Sequence, residues 1–184
     1  PLFQRYMQRY PEVTLEIELE NRVIDLVAEG IDLAIRSATM ASSSLVATKL
    51  FTVKNILCAT PSYINTHGVI KKPEQLAAHL FATYRHKRTI QSLTLYKDKK
   101  EIIAPIKSTL ACNQIDFLKA MVLSGNCVAV FPEFMVEKEL TDGRLLHCLP
   151  NYSFSSSDAY AIFPNKEFLP PKVRVLIEML KELA

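Results

Sequence analysis

The segment DLVAEGIDLAIR, residues 25–36, constrains the fold of this chain more than any other stretch, because it combines a helix, a helix stop and a strand. Asn21, just upstream, is a suitable N-cap for a helix. Apolar side chains follow it at helical spacing, namely Val23, Ile24 and Val27. Gly30 can take the left-handed backbone conformation that commonly ends helices. We therefore predict a short helix that ends at Gly30.

A buried strand is predicted directly after this glycine. The alternating apolar positions of this strand are Ile31, Leu33 and Ile35. The small side chain of Ala34 leaves room for packing on the second face of the strand. Arg36 closes the run with a fixed charge and five N–H donors. The upstream run Val13–Leu19 also alternates apolar and polar residues, so the region predicts one β-α-β unit.

Crossovers of this kind are right-handed and belong to α/β sheets, whose ligands bind beyond the carboxyl ends of the strands. Arg36 lies at such an end and is therefore a candidate ligand contact. Its position also leaves open that Arg36 is simply an exposed or ion-paired surface residue.

The rest of the chain predicts two blocks of alternating strands and helices with a terminal helix. Strands are predicted at Leu45–Phe51, Val53–Thr60, Ser92–Lys97, Glu101–Ile106, Ser108–Cys112, Val128–Phe131, Arg144–Leu149 and Ala159–Phe163. Helices are predicted from Pro1 to Tyr10, after Pro61, Pro73 and Pro132, over Gln114–Leu123 with Asn113 as N-cap, and over Lys172–Ala184.

These blocks predict two lobes, with residues 1–58 plus 163–184 in lobe I and residues 59–162 in lobe II. The strands near Val53–Thr60 and Ala159–Phe163 are the candidates to pass between them. A cleft between two lobes is the default place for a ligand.

Composition restricts the class of protein. The 184 residues are 49% hydrophobic and 22% charged, which is typical of a folded globular chain, and a net charge of +3 gives no reason to expect nucleic-acid binding. The basic runs Arg85–Arg88 and Lys97–Lys100 are interpreted as solvated loops. We find no secretory signal, membrane span or lipidation motif, which favours a reduced cytoplasmic setting. Because the first residue is Pro1, we expect a fragment or a processed form.

No motif supports catalysis, a cofactor or a metal. The chain lacks G-x-S-x-G, H-E-x-x-H, P-loop and G-x-G-x-x-G patterns, so we expect no enzyme. Ser42–Ser44 is interpreted as a loop. No ligand-like spacing relates the four histidines to each other or to the four cysteines, Cys58, Cys112, Cys127 and Cys148, which we interpret as buried apolar residues.

An ordered series of segments resembles the effector-binding domain of LysR-type transcriptional regulators. The segments are PLFQRYMQRYPEV, VIDLVAEGIDLAIR, SSLVATKLF, CATPSYI, VAVFPEF, DGRLLHCLP and FLPPKVRVLIEML, and they extend over nearly the whole chain. The resemblance implies an α/β fold of two Rossmann-like lobes, as in type 2 periplasmic binding proteins, joined by two crossover strands. The family's first strand, with effector-contacting hydroxyls in the loop after it, would precede Pro1.

The resemblance also implies which residues contact an effector. They are Arg36 and Ser37 after the strand of the β-α-β unit, Thr60 and Ser62 near the lobe crossing, Asn113 and Gln114 at a helix start, and the region from Phe131 to Phe134. Helix N-termini offer free N–H groups and a positive dipole end, which suits an anionic effector. Two alternatives stay open, since Asn113 can act only as an N-cap and Phe131 only as a core residue. The family's redox sensors use a close cysteine pair, which the spacing from Cys112 to Cys127 does not match.

The resemblance implies an effector-binding and oligomerisation domain, dimeric or, in the full-length protein, tetrameric. It would control DNA binding by an N-terminal winged helix-turn-helix that this chain does not contain. The alternative is a free-standing, exported solute-binding protein of the same fold, and an enzyme would need a catalytic constellation that we do not find.

Overall fold

The computed structural model describes residues 2–20, 22–37, 45–84, 90–164 and 169–182, and the chain divides into two compact units. Unit 1 comprises residues 1–53 and 157–184, and unit 2 comprises residues 54–156. The chain passes between the units twice, after Val53 and after Ser156. The predicted lobe boundaries lie a few residues further along at both passages, and the assignment of lobes stays a prediction.

Strands and helices alternate through most of the described chain. In order they are α1 Leu2–Arg9, β1 Ala34–Arg36, β2 Leu45–Val53, β3 Asn55–Ala59, α2 Pro61–His67, a 3₁₀ helix at Pro73–Ala78, β4 Leu80–Tyr84, β5 Ser92–Lys97, β6 Lys100–Pro105, β7 Lys107–Cys112, α3 Ile115–Leu123, β8 Ala129–Pro132, a 3₁₀ helix at Glu133–Met135, α4 Glu137–Thr141, β9 Leu146–Cys148, β10 Ser153–Phe154, β11 Ser157–Pro164 and α5 Pro171–Lys181. No helix of this described part is long and apolar enough to span a membrane.

Unit 1 is built on an antiparallel sheet with the strand order β1-β11-β2. Leu2 and Tyr6 lie one helical turn apart on α1 and are buried, as are Val173, Ile177 and Leu180 of α5. The Tyr6 hydroxyl also donates a 2.9 Å hydrogen bond to the carbonyl of Lys172. The two helices thus share one core with β2 and β11.

The predicted helix before Gly30 is wrong in extent, although its stop is confirmed. Residues 26–30 form a single turn, whose start is capped by the Asp25 carboxylate accepting from the N–H groups of Val27 and Ala28. Gly30 has φ +69, and Ile31 N–H donates to Leu26 C=O at 2.8 Å, which is the Schellman pattern of a helix end. The predicted cap Asn21 lies outside the described residues. One turn cannot bury the predicted apolar stripe: Ile24 and Leu26 are buried, whereas Val23 and Val27 are exposed.

The predicted strands on either side of that turn are also wrong in part. Only Ala34–Arg36 forms a ladder, because its pairing with β11 extends over these three residues. Val13–Leu19 is irregular, and Ile17 and Leu19 in it are exposed. A strand requires a neighbour that satisfies its backbone N–H and C=O groups, and no described strand pairs with this run.

Unit 2 contains a mixed sheet of antiparallel and parallel strands. β3 lies between β8 and β9 and is antiparallel to both, while β4 and β7 pair in parallel. A parallel bridge between Phe81 and Val128 joins the two groups. The strand Leu80–Tyr84 was not predicted from the sequence. Its centre, Phe81 to Thr83, is buried, and a buried run this short lacks the alternation that identifies a strand.

The two faces of this sheet carry separate cores. Leu57 and Ala59 face a cluster formed with the β5–β6 hairpin, and Ile56 and Cys58 face a cluster formed with α3. The hairpin is confirmed, and its turn residues Asp98 and Lys99 have φ +51 and +63, as a type I′ turn requires. The other basic run, Arg85–Arg88, and the run Ser42–Ser44 lie outside the described residues.

Several predicted boundaries in unit 2 are corrected. α3 begins at Ile115 with Gln114 as N-cap, so the expected cap Asn113 lies one residue too early. The helix after Pro73 is a 3₁₀ helix, and a 3₁₀ helix separates Pro132 from α4. Ser153 and Phe154, which lie between the predicted strands Arg144–Leu149 and Ala159–Phe163, form the short strand β10, because they pair with β5.

A buried histidine connects α2 with β4. His79 is 4% exposed, and its Nδ1 lies 3.2 Å from the Tyr63 hydroxyl, which accepts a 3.0 Å hydrogen bond from Leu80 N–H. The Tyr63 ring stacks on His67 at 4.2 Å between centroids. Burial lowers the pKa of His79 below its ordinary value of 6.5, and the charge of His67 lowers it further.

We predict that this histidine makes the protein less stable in mild acid. The unfolded chain takes up the proton near the ordinary pKa of 6.5, so the stability from neutral His79 is complete above that pH and is lost as the pH falls through the lowered pKa. Urea unfolding at about pH 7.5 and about pH 5.5 measures the difference. His79→Phe should reduce it, whereas His147→Gln, which changes an exposed histidine, should not. An equal pH difference in His79→Phe and in the wild type would contradict this assignment.

Candidate functional site

The carboxyl ends of three strands of unit 2 lie at one edge of its sheet. Tyr84 pairs with Cys112 at the ends of β4 and β7, and the Phe81–Val128 bridge shows that β8 runs in the same direction. β8 ends at Pro132, at the same edge. We call this the carboxyl edge of unit 2. In open α/β sheets such an edge is where ligands bind.

Three of the predicted site residues lie at the carboxyl edge. Asn113 and Gln114 connect the end of β7 to α3 and are exposed, and Gln114 N–H donates to Cys112 Sγ at 3.3 Å. Phe134 follows β8 and is 61% exposed. Phe131, in contrast, is fully buried in the cluster beneath α3, in agreement with the core interpretation that the sequence left open. An amide, an aromatic ring and the first turn of a helix thus lie at this edge.

Thr60 and Ser62 lie at the opposite edge. β3 is antiparallel to β8, with Cys58 opposite Ala129, so the end of β3 lies beside the beginning of β8. Thr60 is the N-cap of α2, because its Oγ1 accepts a 3.2 Å hydrogen bond from Tyr63 N–H, and it lies 3.0 Å from Ser62 Oγ. The two hydroxyls therefore hold the α2 turn, and the sheet separates them from Asn113 and Gln114.

In unit 1, Arg36 and Ser37 lie at the carboxyl end of β1, as predicted. The Arg36 side chain is half-buried and donates from Nη2 to the carbonyl of Arg22 at 3.1 Å. This bond fixes one side of the guanidinium against its own lobe and uses only one of its five donors. Ser37 is exposed.

Unit 2 also contains a groove of about 620 Å³ that the sequence did not predict. Its lining residues are Lys54, Asn55, Ile56, Tyr96, Glu133, His147 and the run Tyr152–Ser156. We call it the edge groove, because it lies where β3 extends past the end of β9. These residues come from five separate stretches of sequence, so no local pattern could have identified them.

The cysteines are not arranged as a reactive pair. All four thiols are free, and burial raises the pKa of Cys58 to about 12 and that of Cys148 to about 11. Burial also raises the pKa of Cys127, while Cys112 is half-buried. Within the described ranges, no group of three or more His, Cys, Asp or Glu side chains is arranged to hold a metal ion.

Comparison with known proteins gives a family match over the whole chain. The model of the LysR substrate binding domain family matches residues 1–184. The HTH-type transcriptional regulator PtxR of Pseudomonas aeruginosa is 29% identical over 177 residues, which cover 96% of this chain and 57% of PtxR. The chain therefore spans less than two thirds of this curated relative.

Solved structures agree with the family match. The regulatory domain of AphB from Vibrio vulnificus superposes with a TM-score of 0.80 at 26% identity, covering 100% of this chain and 91% of that domain. The regulatory domain of CrgA from Neisseria meningitidis gives a TM-score of 0.88 at 22% identity, covering 100% and 90%, and this match shows the fold alone. Together the matches confirm the resemblance and the predicted α/β fold of the periplasmic-binding-protein type.

We predict that Gly125→Ala destabilises the protein more than Gly143→Ala. Both glycines have positive φ, +79 and +69, so each substitution should cost about 1–2 kcal/mol of backbone strain. A Cβ at Gly125 would also lie 3.0 Å from Ser62 Oγ, whereas one at Gly143 would have no atom within 4 Å. Urea unfolding gives both costs. If the contact of the added Cβ with Ser62 Oγ is responsible, the additional substitution Ser62→Ala should reduce the loss of unfolding free energy in Gly125→Ala to that in Gly143→Ala. Equal losses for the two single alanine variants would contradict the prediction.

We predict that Cys112 is the first thiol to react in the folded protein. A thiolate is the reactive form, and the raised pKa values of Cys58 and Cys148 leave very little of it at neutral pH. Titration with a chromogenic disulfide reagent should modify one thiol quickly, and Cys112→Ser should remove that fast phase. A fast phase that persists in Cys112→Ser would show that one of the buried thiols is accessible.

Proposed function

This chain belongs to the LysR substrate binding domain family, and from that premise we propose that it is the effector-binding and oligomerisation part of a longer transcriptional regulator. The observation that carries the proposal is the family match over residues 1–184. PtxR, which is longer, is described as a helix-turn-helix regulator. By analogy, a DNA-binding domain outside residues 1–184 would contact DNA, in a soluble cytoplasmic protein without catalytic activity.

The effector contacts that we propose are Arg36 and Ser37 in unit 1 and Asn113, Gln114 and Phe134 in unit 2. Arg36 retains donors beyond its bond to Arg22. The first turn of α3 adds backbone N–H groups and the positive end of the helix dipole. These groups favour an anionic effector, and carboxylates are its simplest class. We omit Thr60 and Ser62, because Thr60 caps α2 and both lie at the opposite edge of the sheet.

Control of DNA binding would then follow from linkage. An effector that binds one arrangement of the protein better than another shifts the population toward it by its differential affinity. Association of two or more copies, which we also propose, would convert that shift into a change in the spacing of the DNA-binding domains. The net charge of this chain is only +3, so operator affinity is expected to come from the other domain.

The alternative of a free-standing solute-binding protein receives no support from these comparisons. The relatives and solved structures described above are named as regulators or as domains of regulators. The sequence upstream of residue 1 in the full gene distinguishes the two possibilities directly.

We predict that small carboxylates stabilise this chain and that Arg36→Ala weakens the binding of any such acid about tenfold, through loss of a charge-assisted hydrogen bond. Thermal unfolding against aliphatic and aromatic acids identifies the ligand, and calorimetry gives the affinities. Gln114→Ala should also weaken binding. Arg174→Ala, an exposed arginine on α5, and Ser62→Ala at the other edge serve as controls. Unchanged affinity in both Arg36→Ala and Gln114→Ala would remove these residues from the site.

The regulatory half of the proposal is tested with the full-length protein. Its affinity for DNA from its own promoter region should change when the identified acid is added, as fluorescence anisotropy would show. The 184-residue chain alone should not bind the same DNA. An effector that binds tightly but leaves the DNA affinity and the oligomeric state unchanged would contradict the regulatory role.

A further inference from the structure

Three side chains of the edge groove form no ion pair or hydrogen bond with the residues that the structure describes. Lys54, Glu133 and His147 line it, and among the described residues none of their side chains forms an ion pair or a hydrogen bond. All three side chains are exposed. The buried Glu139 of unit 2, in contrast, is paired with Lys119 and Arg144. The groove thus holds a cation, an anion and an imidazole that are available to a ligand.

Strand pairing brings these groups together at the end of the sheet. Glu133 N–H donates to Lys54 C=O at 2.9 Å, so the two residues are opposite each other one position beyond the pair Asn55–Pro132, just outside β3 and β8. Ile56 and His147 also line the groove, and His147 is opposite Cys58 on the neighbouring strand β9. Opposite charges thus lie on neighbouring segments of the groove.

The second wall of the edge groove is held rigidly. β9 ends at Cys148, and the chain turns away at Leu149, which is 2% exposed with φ +54. The turn is closed by Tyr152 N–H donating to Leu149 C=O at 2.9 Å. Asn55 Nδ2 then donates to Ser155 C=O at 2.8 Å and holds the run Tyr152–Ser156 across from the sheet edge. A leucine in this strained conformation persists only where its surroundings hold it.

This wall contributes aromatic and hydroxyl groups. Tyr96 and Tyr152 are half-buried, and no described residue bonds to either phenol oxygen. Lys97 Nζ lies 5.3 Å from the centroid of the Tyr152 ring. The serines of the Tyr152–Ser156 run add small hydroxyls at the rim. Amphipathic rings combined with small hydroxyls suit a compact polar ligand that also has an apolar part.

We propose that the edge groove is a second small-molecule site, and that it binds a zwitterion of the α-amino acid class. The carboxylate of the ligand pairs with Lys54 and its ammonium group with Glu133, while its side chain packs beside the two tyrosines. A simple anion or cation would leave one of the two protein charges without a partner, whereas a zwitterion satisfies both. Arg36, Ser37, Asn113, Gln114 and Phe134, the effector contacts proposed above, do not line this groove, although Glu133 lies next to Phe134.

The test is calorimetric titration of the 184-residue chain with each of the standard L-amino acids. We expect at least one of them to bind saturably below about 10 mM, which is within the range of weak metabolite sites. Lys54→Gln and Glu133→Gln should each weaken that binding about tenfold or more, as expected for loss of a charge-assisted hydrogen bond. Lys138→Gln, which changes an exposed lysine on α4, should leave it unchanged.

Two further measurements identify the role of the charges. The double variant Lys54→Glu with Glu133→Lys keeps both charges in exchanged positions and should bind better than either single charge reversal. The deaminated and decarboxylated analogues of the bound amino acid should each bind less tightly than the amino acid. Absence of saturable binding for every amino acid, equal affinity for an analogue, or unchanged affinity in both glutamine variants would each overturn the proposal.

Discussion

The antiparallel pairing of β3 with β8 is the interaction on which the arrangement of unit 2 depends. It brings Asn55 opposite Pro132 and Cys58 opposite Ala129, and so determines which residues share an edge of the sheet. Because β8 runs parallel to β4 through the Phe81–Val128 bridge, the ends of β4, β7 and β8 are brought together. The same register places Lys54 opposite Glu133. A register shift of one residue would move every side chain of β3 to the opposite face of the sheet. Because both faces carry buried clusters, the register is strongly specified.

The polar groups of unit 2 divide into those that the fold uses and those that it leaves available. The hydroxyl of Thr60 caps α2, and the Tyr63 hydroxyl bonds to Leu80 N–H and lies beside His79. The carboxylate of Glu139 is likewise used within the fold, where it pairs with Lys119 and Arg144. Burial tends to raise its pKa, but hydrogen bonding at its own backbone and the charges of Lys119 and Arg144 outweigh that effect and lower it. Gln114 at the carboxyl edge and Lys54 and Glu133 in the edge groove have no comparable internal role, which is why the proposed ligand contacts are drawn from them.

Local chemistry explains which parts of the fold were predictable. Pro61 and Gly68 bound α2 as expected, since proline suits a first helical turn and glycine tolerates positive φ. α3, α5 and the β5–β6 hairpin were also close to their predicted ranges. The strand predicted at Val13–Leu19 does not form. An alternating pattern shows only that a run can be a strand, and it does not provide the neighbouring strand with which the run must pair. Leu80–Tyr84 was missed for the opposite reason, because its centre is buried between two strands and shows no alternation.

The sequence alone determined the α/β class, most of the helix and hairpin positions and the resemblance to the LysR family, because caps, turns and ordered motifs are local features of the chain. Arg36 lies at the end of a strand and Gln114 at the start of a helix, as the sequence predicted, and their contact with an effector stays a prediction. Only the tertiary structure separated Thr60 and Ser62 from Asn113 and Gln114, buried Phe131, and assembled the edge groove from five separate stretches. The reason is physical: strand direction and register are set by long-range packing, and a short motif does not encode which strand will become its neighbour.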